Sequence, residues 1–92
     1  MKNLTMENLI NNFEGAKKSD AKYVGVVVMM QGFEKPEIII NTKENFDTKL
    51  AYYQKAYNED LTLKTFNGIK IVGFTYRDSF NEIEKDLIEF NS

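Results

Sequence analysis

The chain has no cysteine, no histidine and no tryptophan, and its 92 residues include one proline, one arginine and five glycines. Without cysteine there is no disulfide, thiol nucleophile or thiolate metal site. Without histidine the usual general base and the commonest metal ligand are missing as well. A basic excess is also absent: 12 Lys and Arg stand against 14 Asp and Glu, a formal net charge of −2. Nucleic-acid binders gain much of their affinity by neutralising phosphates with a basic, arginine-bearing face, so this balance argues against direct nucleic-acid binding. No long apolar run exists either. The longest, Val24 to Met30, is interrupted by Gly25 and far too short to cross a bilayer. Met1-Lys2-Asn3-Leu4 leads into an amphipathic stretch and not a secretory signal. These absences predict a cytoplasmic protein with no membrane partner, no metal and no cofactor. A length of 92 residues fits one domain spanning 1–92. Such a chain buries roughly 64% of its unfolded surface, enough for one modest core.

What is present divides into seven segments. Over residues 5–18, Met6, Leu9, Ile10, Phe13 and Ala16 recur at helical steps and share one face. Thr5 stands at the N-cap position, Glu7 in the first turn and Lys17 and Lys18 in the last, and Ser19-Asp20 ends the helix. Residues 23–31 are β-branched and too short for a typical helix, which predicts a buried strand. Gly32-Phe33-Glu34-Lys35-Pro36 makes a turn, and Glu37-Ile38-Ile39-Ile40-Asn41 returns as the second strand of a hairpin. A second helix over 43–58, capped by Asn41 or Thr42, lines Phe46, Leu50, Tyr53 and Tyr57 along one stripe. Asn67-Gly68, between apolar runs 61–66 and 69–74, is the signature of a type I′ turn, because both residues accept positive φ. A two-residue turn there pairs Phe66 with Ile69, Leu63 with Val72 and Leu61 with Phe74. It places Leu61, Leu63, Val72 and Phe74 on one face and Phe66, Ile69 and Ile71 on the other. Asp78 or Ser79 begins a last helix, with Ser79 and Glu82 at capping-box spacing and Phe80, Ile83, Leu87 and Phe90 on one face. The fold predicted is α+β in the order α-β-β-α-β-β-α. Its four-stranded, mainly antiparallel sheet comes from two hairpins, and three helices pack on it.

Candidates for chemistry are few. The acidic pairs Glu59-Asp60 and Glu82/Glu84 lie in a turn and on a helix surface, where nothing retunes a carboxylate for acid–base work. Ser19 and Ser79 stand at helix ends with no histidine to activate them. No glycine-rich phosphate loop or EF-hand spacing occurs. No catalytic residue is therefore assigned, and the candidates are surfaces. Phe33, in the hairpin turn, either folds back on the sheet or projects as an anchor. Tyr52 points about 100° from Tyr53 around the second helix, so it faces solvent as a plain surface residue or as a contact residue. Phe66, Ile69 and Ile71 form either an open apolar patch, suited to a homodimer or another protein, or a face covered by the last helix. Arg77, beside a helix N-terminus, is the residue for an anionic ligand, with Lys70 in support; a salt bridge with Asp78 or a nearby glutamate is its other role.

A resemblance follows from these residues. The stretch from Asn58 to Tyr76, Asn-Glu-Asp-Leu-Thr-Leu-Lys-Thr-Phe-Asn-Gly-Ile-Lys-Ile-Val-Gly-Phe-Thr-Tyr, is followed by Asp78-Ser79-Phe80-Asn81-Glu82-Ile83-Glu84. With the Lys/Asn/Ile/Glu-rich usage, it resembles small accessory proteins of phages and prophages of low-GC Gram-positive bacteria. The resemblance implies a role in phage–host conflict or phage development, where anti-CRISPR inhibitors and signal-sequestering sponges are known. The functional expectation is a non-catalytic protein-binding module, a phage-encoded inhibitor of a host defence protein. Its alternatives are a sponge for a small anionic nucleotide and a self-assembling structural phage component.

Overall fold

The computed structural model describes residues 4–79, 81–83 and 85. Helix α1 spans Met6–Lys18. It starts where two orphan donors are satisfied reciprocally: the Asn8 N–H donates to Thr5 Oγ1 at 3.3 Å, and the Thr5 N–H donates to Asn8 Oδ1 at 2.9 Å. Met6, Leu9, Phe13 and Ala16 are buried, as the helical spacing predicts. Asp20 then turns the chain in the left-handed region, φ 58°, into strand β1, Tyr23–Met30. Strand β2 is Glu37–Thr42, and a 3-10 turn, Lys43–Asn45, leads into helix α2, Phe46–Ala56. Strands β3, Thr62–Leu63, and β4, Phe66–Arg77, complete the sheet. The α+β order is the one expected. Helix α2 ends earlier than its apolar stripe suggests, because Tyr57 leaves the helix to bridge Leu63.

The sheet is antiparallel throughout, in the order β2-β1-β4-β3. Val24, Val26 and Val28 of the central strand β1 belong to the main core with Leu9, Phe13, Phe46, Leu50 and Tyr53 from the two helices. Helix α1 sits over β4, where Asn12 Nδ2 donates to the Thr75 carbonyl at 3.3 Å. Helix α2 sits over β2, where the Tyr53 hydroxyl donates to Asn41 Oδ1 at 3.4 Å. Asn41 is buried, and its amide also donates to the Val24 carbonyl at 3.1 Å, so its polar atoms are partnered away from water. Burial pushes the Tyr53 hydroxyl up to a pKa of about 12. Between the helices, Phe13 meets Phe46 edge-on at 5.7 Å and Tyr53 at 6.2 Å.

The second hairpin departs from its expected register. Leu63 pairs with Phe66 and Thr62 with Lys70, so the turn falls at Lys64-Thr65 and Asn67-Gly68 lies inside β4. Among the described residues only Asp20, Leu61 and Gly32 have positive φ, so no type I′ turn forms at Asn67-Gly68. The cause is the long pairing of β4 with β1, from Tyr23↔Arg77 to Met30↔Ile69, with an irregularity opposite Val27/Val28 that leaves Val72 over. On the Arg77 side of this bulge, Phe74 and Tyr76 face the helices; beyond it, Ile71 and Ile69 do. An unbroken alternation would have turned Lys70 inward. The bulge keeps the lysine out and two isoleucines in.

Ile71 is 0% exposed and belongs to the main core, and Ile69 packs against it. Of the two readings of Phe66, Ile69 and Ile71, the open patch does not hold: Ile71 and Ile69 are covered on the α1 and α2 side of the sheet, and only Phe66 is exposed. Leu61, in the turn after α2, is also fully buried although its φ is +69°. Its backbone is fixed on both sides, donating to the Asn58 carbonyl at 2.9 Å and accepting from the Ile71 N–H at 3.0 Å.

On the face away from α1 and α2, Val27 is 2% exposed and Gly25 and Gly73 beside it are buried, so the centre of that face is shielded from solvent. A third helix includes residues 81–83 and 85. Its start is capped as the spacing predicts, with the Glu82 N–H donating to Ser79 Oγ at 3.2 Å, and Ile83 is buried. Phe80, Leu87 and Phe90, expected on its apolar face, lie outside the described residues. No helix among the described residues is long and apolar enough to cross a membrane.

Candidate binding surface

Three large hydrophobic side chains stand out from the described surface: Phe33 is 62% exposed, Tyr52 53% and Phe66 50%. Phe33 follows a tight turn in which its N–H donates to the Met30 carbonyl at 3.1 Å. Gly32 occupies the third position of that turn with φ +91°, the conformation a type II turn requires of it. No neighbouring side chain demands glycine there; the backbone angle does. Of the two orientations open to Phe33, the structure adopts the projecting one.

Phe66 opens β4 beside the same turn. The Gln31 N–H donates to the Gly68 carbonyl at 2.7 Å, which extends the β1–β4 ladder past Met30↔Ile69. A Cβ on Gly68 would lie 2.6 Å from Phe66 Cζ and 2.7 Å from Gln31 Oε1. The phenyl ring thus covers the bare glycine with one edge while half of its surface remains in water. Gln31 touches this site from the first hairpin and precedes Phe33 by two residues. The two hairpin tips are thereby tied by main chain, and each carries one exposed phenylalanine. Met30 and Ile69, paired beneath them, are half-buried.

Tyr52 is set apart on the outer side of α2. Its ring meets that of Tyr53 edge-on at 5.5 Å. Tyr57 lies within electrostatic reach of both Tyr52 and Glu37, the first residue of β2, and burial raises the pKa of the Tyr57 hydroxyl. Tyr52 therefore belongs to the outer surface of α2 and not to the hairpin tips.

The basic candidates do not converge. Lys70 lies opposite Met29 and Arg77 opposite Tyr23, so about 20 Å of strand separates them. Lys70 is half-buried and within electrostatic reach of Asp60, whose carboxyl is held below its ordinary range by hydrogen bonds from Thr62. Arg77 lines a depression of about 180 Å³ with Ser19, Ala21, Tyr76, Asp78 and Glu82, where an anion would meet two carboxylates.

At that same end of the sheet, a wider depression of about 250 Å³ is lined by Asp20, Lys22, Tyr23, Thr42, Lys43 and Glu44. It is crossed by the ion pair of Lys43 with Asp20. The pairing raises the lysine pKa and lowers the aspartate pKa. Among the described residues no group of three or more carboxylates is placed to hold a metal ion.

Sequence reasoning found Phe33, Tyr52 and Phe66 but missed Gln31 and Gly68, which bring two of them to one end. No local signal marks that contact, since it depends on the pairing of β1 with β4. Comparison with known proteins finds no family model, no curated protein and no solved structure that the chain matches.

Proposed function

We propose that the chain is a non-catalytic protein-binding module whose contact surface is the aromatic tip of the sheet. One observation carries this reading: Phe33 and Phe66 are exposed on two hairpin tips that the Gln31–Gly68 hydrogen bond fixes to each other. Rigid, solvent-facing aromatics on adjoining turns are the side chains that anchor interfaces at low ordering cost. The resemblance to phage and prophage accessory proteins makes a host defence protein, inside the bacterial cell, the partner class to test first. A nucleotide sponge draws no comparable support, because Lys70 and Arg77 stand far apart.

The test is capture of partners from lysate of a defence-bearing Gram-positive host, comparing wild type with the Phe33→Ala/Phe66→Ala double variant. Circular dichroism checks that both are folded. The reading requires a partner retained by wild type and lost by the variant, with the loss reproduced by calorimetry on the purified pair. Equal capture by both proteins would remove the tip as the contact surface.

A further inference from the structure

Strand β2 is an outer strand of the sheet, and its free side is unusually regular for an edge. Lys43 donates its N–H to the Lys22 carbonyl at 2.9 Å, in the register that pairs Tyr23 with Thr42 and Val24 with Asn41. Lys22 and Lys43 are therefore a hydrogen-bonded pair. By alternation Val24/Asn41, Val26/Ile39 and Val28/Glu37 are too. Ile38, Ile40 and Thr42 then aim their backbone N–H and C=O groups away from β1. Among the described residues no other main-chain group bonds to them. Within β2 there is no proline, lysine, glycine or bulge, the usual devices that blunt an edge.

The strand is also complementary to itself. Laid antiparallel on a second copy about a two-fold axis at Ile40, it pairs Ile40 with Ile40, Ile38 with Thr42, Ile39 with Asn41 and Glu37 with Lys43. The outward-directed residues meet outward-directed ones, and each such pair exchanges two N–H···O bonds, about six in all. Glu37 and Lys43, the first residue of the 3-10 turn that follows β2, fall at the two ends with opposite sign, so the partner's Glu37 adds a second carboxylate to a lysine that already pairs with Asp20 of its own chain. Glu37 and Lys43 are both exposed in the single chain, and Ile38 and Ile40 are half-buried. A register centred on Ile39 brings Glu37 against Asn41 and places Pro36, which has no N–H, at an outward hydrogen-bonding position. The Ile40-centred register avoids both defects.

We propose that β2 is a self-association edge, through which two copies join their sheets into one continuous sheet in the Ile40-centred register. The two-fold axis runs perpendicular to the sheet. Helices α1 and α2 of both copies therefore lie on the same face. The aromatic tips point to opposite ends, so the dimer presents two contact surfaces. The proposal does not depend on what the tips bind.

Sedimentation equilibrium on the full chain tests it. Wild type is expected at twice the 10.7 kDa chain mass. Ile40→Pro removes an outward donor that β1 does not use, so it is expected at the single-chain mass with an unchanged far-ultraviolet spectrum. Glu37→Lys places lysine against Lys43 twice per dimer and raises the dimer dissociation constant about tenfold. Adding Lys43→Glu restores it to within about threefold, whereas Lys43→Glu alone, which removes the Asp20 pair as well, weakens the dimer; recovery only in the double variant is a readout that loss of folding cannot mimic. A wild-type monomer at about 1 mM, where even about −4 kcal/mol of association would show, overturns the proposal. So does a dimer that Glu37→Lys leaves intact, or one that the charge reversal does not rescue.

Discussion

The two hairpins stand side by side in one sheet, yet only the first has its strands and turn where its own residues put them. In the first, Gly32 and Pro36 interrupt two apolar runs at one place, and burial of those runs agrees with the turn. In the second, Asn67-Gly68 marks a turn that would leave Ile69 and Ile71 off the helix-covered face. Fully burying Ile71 contributes about 1.5–3 kcal/mol, and the half-buried Ile69 adds a smaller amount. The turn therefore shifts to Lys64-Thr65, and β4 takes its register from β1. A turn signal decides a hairpin only when the core is indifferent to the choice.

The largest effect that could break this comparison is at Ile71. Ile71→Ala should cost about 2–5 kcal/mol, measured by urea denaturation, because the side chain is fully buried. A loss below about 1 kcal/mol would restore the Asn-Gly register.

The glycines of the two hairpins come next. Gly32→Ala should cost about 1–2 kcal/mol from its positive φ alone. Gly68→Ala should cost about 1 kcal/mol by crowding the Phe66 ring. A double-mutant cycle separates the two causes: Phe66→Ala should relieve most of the Gly68→Ala penalty and none of the Gly32→Ala penalty.

Tyr53→Phe probes the anchoring of the first hairpin under α2. It leaves Asn41 Oδ1 without its donor and should cost about 1 kcal/mol at neutral pH. In wild type the folded-state pKa of Tyr53, about 12, lies above its ordinary value of 10.0. Between those values the folded chain holds more protons than the unfolded one, so stability is full below about pH 10 and falls as pH rises towards 12. Tyr53→Phe should flatten that part of the alkaline unfolding curve relative to wild type. Parallel curves would place the alkaline transition elsewhere.

Phe33→Ala is the smallest effect on folding, within about 0.5 kcal/mol, since its side chain is mostly in water. A cost above about 1.5 kcal/mol would mean that the ring packs on the sheet as structure and is not held out as an anchor.

Part of the second hairpin was legible. Ile69 and Ile71 sit at odd positions and Phe74 and Tyr76 at even ones, a change of parity across Val72-Gly73 that signals a bulge. The Asn-Gly pair, as the stronger local pattern, hides it. The helical stripes of α1 and α2 were read correctly because 3.6-residue spacing depends on nothing beyond the segment itself, and Tyr52 was placed in solvent by the same rule. Asn41 was not legible as a core residue. Its burial depends on Tyr53 and Val24 both reaching it, which follows from how α2 and β1 flank β2.

By itself the sequence determined the order of elements, the buried helix faces, the caps at Thr5 and Ser79, and the lack of thiol and imidazole chemistry. Each of these is written within a few consecutive residues or in composition. Only the tertiary structure decided the β4 register, the burial of Ile71, the meeting of Phe33 and Phe66 at one end, and the exposure of β2 as an edge. These depend on pairing between distant strands, where the free energy of a shared core exceeds the preference of any single turn.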